Sequence, residues 1–210
     1  MTSKARTTKS ELRDETKLLV DLAELWHERG LSLPTRTVYV GSETVDYDGS
    51  SGVDGRLAER VLKNLHTLEQ LSPDAPITLL MDNPGGDEYH GLAIVDAIEQ
   101  SPCEVRCVVR GHAMSMGSWI LQACDRRIMG PRSTQMVHYG TWGYIGHAKT
   151  AQKWMEEGKR MDGLMESMYL RRIREKNPAY SLEDLRAILD HDTFLDAAQS
   201  IALGLADEAG

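Results

Sequence analysis

An α/β fold built on a mainly parallel sheet is what this sequence predicts, and three observations carry that expectation. A nearly continuous apolar run, Ile77 to Met81, ends in Asp82-Asn83-Pro84-Gly85-Gly86 and is followed by a helical pattern from about Tyr89 to Gln100. A second, β-branched run, Val105 to Val109, stops at a glycine, and a small-residue turn leads into a helix-like run from Trp119 to Cys124. Apolar runs without alternation suit strands buried on both faces, and repeated β-α units join such strands through right-handed crossovers. Size is the third observation: 210 residues, 41% apolar and 27% charged, fit one compact domain with a well-buried core.

In chain order, Leu12, Leu18, Leu19, Leu22, Leu25 and Trp26 repeat at helical spacing between Ser10 and Gly30. Residues 1–33 therefore read as an N-terminal arm with one helix, and 34–210 as the domain proper. Thr37 to Val40 reads as a short strand, and the Gly-, Ser- and Asp-rich stretch from Gly41 to Gly55 as a loop. Leu57, Val61, Leu62, Leu65, Leu68 and Leu71 mark an amphipathic helix ahead of the two β-α units. Beyond them, Arg127 to Met129 and Gln135 to Val137 are short strands split by Gly130-Pro131. Tyr139 to Gly146 is strand-like but glycine-rich, a composition that marks close approach of another backbone. About 147–176 reads as one long helix with a Met-rich stripe, able to pack in the core or to protrude against another subunit. Ser181 with Asp184 starts a further helix, and a last one begins near Ala197.

Composition excludes several function classes. A net charge of −8 argues against nucleic-acid and anionic-membrane surfaces, which need clustered Lys and Arg. No apolar run approaches the ~18 residues a membrane span requires, and the polar start of the chain lacks the apolar core of a secretory signal. Cys103, Cys107 and Cys124 include no C-x-x-C pair, and Cys103 and Cys107, roughly 13 Å apart on an extended strand, are too distant to bridge. Reduced cysteines and a cytoplasmic location follow. No H-E-x-x-H or Cys/His cluster suggests a metal site, and no cofactor is expected.

Candidate chemistry centres on Ser115, at the turn between the second apolar run and its helix. Taken alone, such a serine is a helix cap, and Ala113 breaks the G-x-S-x-G elbow. A nucleophile needs a base, a group to orient that base, and oxyanion donors. Of seven histidines, His138 directly follows a strand end, His112 stands three residues before Ser115, and His90 lies just past Gly85-Gly86. His27, His66 and His147 sit on or beside helices, away from strand ends. In parallel sheets ligands bind at the carboxyl ends of strands, where both Gly85-Gly86 and Ser115 fall.

Pro84-Gly85-Gly86, Gly111-His112-Ala113-Met114-Ser115-Met116-Gly117, Met136-Val137-His138 and Asp192-Thr193-Phe194-Leu195 occur in that order. Together they resemble the proteolytic subunit of the caseinolytic (Clp) serine proteases, over roughly Arg36 to Glu208. The resemblance implies a ClpP/crotonase-type fold with a protruding handle helix. It also implies a serine endopeptidase with nucleophile Ser115, base His138 and orienting acid Asp192, and backbone oxyanion donors Gly86 and Met116. Gly85, Asp87, Tyr139, Gly140 and Thr141 would bind the peptide or unfolded-protein substrate, with the 140–146 piece pairing to its main chain. Homo-oligomeric, stacked heptameric rings and an AAA+ ATPase unfoldase are the implied assembly. The chain departs from the family pattern at Asn83, where Ser is usual, and at Tyr139-Gly140, where Gln-Pro is common. The family's N-terminal segment is not recognisable in Met1 to Leu33, and the Gly41–Gly55 link is long. Asp190-His191 replaces an acid-Arg pair, which would make ring pairing sensitive to pH near neutrality.

Three rivals stand beside this reading. A crotonase-like acyl-CoA enzyme would share the fold, a Ser–Lys peptidase would use a base such as Lys149, and a silent ring-forming scaffold would assemble without cutting.

Overall fold

A computed structural model of the chain describes residues 9–46, 49–141 and 143–210. Helix α1 (Lys9–Arg29) ends at Gly30, and strand β1 (Leu31–Ser32) returns antiparallel to β2 (Thr37–Gly41). Strands β3 (Glu43–Asp46) and β4 (Gly49–Ser51) form a small antiparallel pair before α2 (Gly55–Leu71). Then come β5 (Ile77–Asn83), α3 (Glu88–Glu99), β6 (Val105–Met114), α4 (Met116–Ala123), β7 (Arg126–Met129) and β8 (Thr134–Val137). The long α5 (Ala148–Lys176), α6 (Leu182–Leu189), β9 (Thr193–Asp196), α7 (Ala197–Leu203) and β10 (Glu208–Ala209) complete the chain.

The expected parallel α/β architecture is present. The main sheet runs β1-β2-β5-β6-β7-β10, with β2, β5, β6, β7 and β10 parallel and β1 antiparallel at one edge. Val38, Val40, Ile77, Leu79, Met81, Val105, Cys107 and Val109 are fully buried at its centre. Helix α2 covers it through Val61, Leu65 and Leu68, and α3 through Ile94, Val95 and Ile98. The end of the N-terminal segment joins this layer: Leu31 is buried in the core, the Trp26 ring meets Tyr39 edge-on at 6.0 Å, and Asn64 donates to the Arg29 carbonyl.

Three expectations need correction. The second β run does not stop at its glycine; β6 continues to Met114 by changing partners. Arg106 to Val109 pair with β7, whereas His112 to Met114 pair with β8, which itself pairs antiparallel with β9. Between the two halves Gly111 has φ +103, and a Cβ there would run into the Asp82 carboxylate, so only glycine lets the strand bend. The Gly41–Gly55 stretch holds a strand pair rather than a bare loop, with residues 47 and 48 outside the described residues. Finally, the described residues of 139–146, 142 lying outside them, join no ladder.

Helix α5 changes character along its length. Met161, Met165, Tyr169 and Ile173, four residues apart, are buried against the core. Its first turns are exposed instead, with Trp154 at 41% and Met155 at 67%, and Trp154 stacks on Tyr144 at 6.0 Å. Among the described residues no helix is long and apolar enough to cross a membrane.

Candidate active site

Ser115 occupies the N-cap position of α4, yet its side chain makes no cap hydrogen bond. Its backbone sits at φ +50, ψ −123, one of two non-glycine residues with positive φ among those described. Such a conformation costs roughly 1–3 kcal/mol and persists only where neighbours enforce it. They do so here: the Ser115 amide donates to Met136 O, and Ser118 and Trp119 amides donate to Ser115 O. The hydroxyl is thereby turned out of the helix, and Oγ lies 2.9 Å from His138 Nε2.

His138 follows β8, so the β6–β8 pairing that the Gly111 bend creates is what brings it beside Ser115. Its Nδ1 is 2.9 Å from Asp192 Oδ1, in the turn before β9. A carboxylate can only accept, so Nδ1 carries the proton and Nε2 is left to accept from the Ser115 hydroxyl. The His138 side chain is 22% exposed and that of Asp192 61%. Asp192 thus reaches the ring from the solvent side.

Two backbone segments flank the Ser115 turn, Gly85-Gly86 and the start of α4. Val53 donates to Gly85 O and Asp87 donates to Val53 O, a parallel bridge that leaves the Gly86 amide on the opposite side, where Gly86 lines a cleft. Gly86 has φ +140, and a Cβ on it would collide with the Val53 backbone. Gly85, at φ +105, lies so close to the nucleophile turn that its Cβ would come 2.6 Å from Ser115 Cβ. The buried Asn83 side chain accepts from the Gly85 amide at 2.8 Å, which holds the turn. Met116 N–H, the first of α4, has no partner within the helix.

The cleft, of about 370 Å³, is lined by Gly86, Asp87, Glu88, Tyr89, Ser115, His138, Gly140 and Thr141. A hydroxyl whose proton can pass to an imidazole, on the wall of such a cleft, can attack a carbonyl.

The sequence model of the Clp protease family matches residues 45–210. The chain belongs to the Clp protease family. A relative, the ATP-dependent Clp protease proteolytic subunit of Deinococcus radiodurans, is 27% identical over 178 residues, 84% of this chain and 80% of the relative. This Clp family chain is a serine-type endopeptidase, and nothing in the comparisons favours an acyl-CoA enzyme.

Of the residues singled out in the sequence, Ser115, His138 and Asp192 are within hydrogen-bonding reach of one another in series. Gly85, Gly86, Asp87, Gly140 and Thr141 stand around them. Tyr139 is not among the residues lining the cleft; its hydroxyl donates to Glu166, which also takes a two-pronged contact from Arg186. Burial together with that Glu166 hydrogen bond pushes the Tyr139 phenol up to about 12. None of the other candidate bases lies within hydrogen-bonding distance of Ser115 Oγ, which is met by His138. His112 Nδ1 is 2.6 Å from Asp82 Oδ1, the His90 ring lies against Gly55, and Lys149 is exposed on the first turn of α5.

Two cleft residues, Glu88 and Tyr89, escape sequence reasoning. They read as the polar first turn of a helix, and only α5 folding back over α3 makes them part of a wall. Tyr89 donates to Glu157 of α5 at 3.0 Å. Burial, then Asp162 and Asp87, push the Glu88 carboxyl up to about 7.

Proposed function

We propose that Ser115, His138 and Asp192 are the catalytic triad of this serine endopeptidase, with Gly86 and Met116 amides as oxyanion donors. The observation that carries the reading is that Ser115, at a helix N-cap, spends its hydroxyl on His138 Nε2 at 2.9 Å rather than on the helix. Ser115 Oγ attacks the substrate carbonyl carbon while His138 Nε2 takes its proton. The carbonyl oxygen becomes the oxyanion between the two amides. Collapse breaks the C–N bond, and His138 returns the proton to the leaving amine. Water, deprotonated by His138, then cleaves the acyl-enzyme and regenerates the serine. Asp192 holds the ring and favours its charged form.

The substrates proposed are peptides and unfolded polypeptides, held as an extended strand along Gly85, Asp87, Tyr139, Gly140 and Thr141. That the described residues 140, 141 and 143–146 join no strand supports this, since an incoming main chain can add beside them. A homo-oligomer of stacked heptameric rings in the cytoplasm, served by an AAA+ ATPase, completes the proposal. Exposed Tyr144, Ile145, Trp154 and Met155 around the start of α5 support a subunit contact there. The name of the Deinococcus relative supports the ATPase.

A fluorophosphonate probe tests the triad. Labelling of the wild type at Ser115, lost in Ser115→Ala and strongly slowed in His138→Ala, is the expected result. Labelling that survives Ser115→Ala overturns the triad. Native mass measurement of the full chain tests the rings.

A further inference from the structure

Glu88 is an uncompensated acid in the wall of the catalytic cleft. It lies in the first turn of α3, two residues beyond Gly86. Its side chain makes no hydrogen bond or ion pair among the described residues, and Oε2 is shut off from solvent without a partner. The charged groups that act on it are acids: Asp162, reaching across from α5, and Asp87 beside it. Nearby cations are already engaged, Arg160 with Glu157 and Arg186 with Glu166. A first-turn acid placed only for the helix dipole remains in water and carries no such burden. A half-buried carboxylate among carboxylates has lost hydration and gained no counter-charge, and that costs free energy unless a cation arrives.

We infer that Glu88, with Asp162 behind it, selects substrates carrying a lysine or arginine side chain on the residue whose carbonyl Ser115 attacks. The position follows from the chain itself. Glu88 lines the same cleft as Ser115 and Gly86, two residues beyond the proposed holder of the carbonyl oxygen, and the inference places the attacked residue's own side chain against it. Oε2 is enclosed, so an ammonium or guanidinium there meets Glu88 at Oε1 and gives the carboxylate the charge-assisted hydrogen bond that the protein withholds. The high position of the Glu88 carboxyl, about 7, marks how poorly its charge is supported before substrate arrives. The inference rests on Ser115 being the nucleophile.

Two peptidyl diphenyl phosphonates, identical except for lysine or norleucine at the terminal residue, separate charge from shape. Each phosphonylates an active serine irreversibly, forming a P–O bond to Oγ as a phenol leaves, and the rate is read by intact mass on the full chain. At about pH 8 the lysine probe is expected to react about tenfold faster or more, the worth of one charge-assisted hydrogen bond. The ratio should fall towards one in Glu88→Gln and partly in Asp162→Asn. Equal rates, or a faster norleucine probe, in the wild type overturn the inference whether or not the variants fold. So does a lysine preference that Glu88→Gln leaves intact, or labelling by a fluorophosphonate with neither peptide probe reacting. If neither the fluorophosphonate nor the peptide probes modify Ser115, the nucleophile assignment fails and this inference falls with it.

Discussion

His138 Nε2 lies 2.9 Å from Ser115 Oγ, and Ser115 meets it from a backbone conformation, φ +50, that few non-glycine residues adopt. The strain and the hydrogen bond have one origin. Because β6 bends at Gly111 and pairs its second half with β8, Ser115 must turn sharply into α4, and the turn aims its hydroxyl at the residue that follows β8.

Asp192→Asn tests how much the proposed third member of the triad contributes. An amide can present its NH₂ to Nδ1 and favour the wrong tautomer, which removes the acceptor that Ser115 needs. Loss of a buried orienting carboxylate of this kind costs about 10⁴ in kcat. With the Asp192 side chain 61% exposed, water shares its role, and a smaller fall of about 10²- to 10³-fold is expected, with KM little changed. Steady-state hydrolysis of a fluorogenic peptide measures both.

Gly86→Ala should damage activity and stability together. The new methyl group would strike the Val53 backbone, which cannot swing aside as a flexible side chain could, and φ +140 is strained for any L residue. The turn must shift and carry its amide with it. Unfolding in denaturant should show a loss of about 1–3 kcal/mol, and peptide hydrolysis a loss of about 10²-fold or more, the usual effect of removing one oxyanion donor. Gly163→Ala, on an exposed part of α5 with open space around it, should instead gain about 0.5–1 kcal/mol.

Much of this arrangement was legible beforehand because periodicity and glycines report local structure. Ile77 to Met81 forms a central strand as its apolar run indicates, although Thr78 and Leu80 on one face are only half-buried, and the Gly85-Gly86 turn takes the positive φ its glycines allow. Ser181 with Asp184 forms the capping box that its spacing predicts. What was illegible depends on partners distant in sequence. The continuation of β6 past Gly111 needs β8, and β10, only Glu208–Ala209, exists because β7 offers it an edge. At the site, Ser115 alone could not be told from a cap, since the difference lies in a histidine 23 residues away. Glu88 looked like ordinary helix-start acidity until α5 brought Asp162 against it.

The Arg127–Asp207 pair should make stability fall in acid. Arg127, 4% exposed in its side chain, meets Asp207 at 2.5 Å and also donates to Gln122 and Gly204 O, tying the end of the chain to β7. Burial pushes the Asp207 carboxyl up, but the Arg127 hydrogen bonds outweigh it and leave it below the usual range. A depressed carboxyl contributes its stability above the unfolded value of about 3.9 and loses it as pH drops through the lower folded value. Asp207→Asn should cost about 2–3 kcal/mol at neutral pH, less than a fully buried pair because Asp207 is partly exposed. The difference from wild type should shrink towards pH 2–3, which denaturant unfolding across pH will show.

Glu88 has the opposite sign. Its carboxyl lies near 7 in the fold against 4.5 when unperturbed, so the folded chain binds more protons than the unfolded one between those values. Stability therefore declines as pH rises from about 4.5 to about 7, and the penalty is complete above that. The full difference would be about 3 kcal/mol, and exposure of half the side chain screens it to about 1–2. Glu88→Gln should accordingly match wild type in unfolding near pH 4 and exceed it by about 1–2 kcal/mol near pH 8. A variant no more stable than wild type at pH 8 would mean that the charge on Glu88 is already neutralised within the fold.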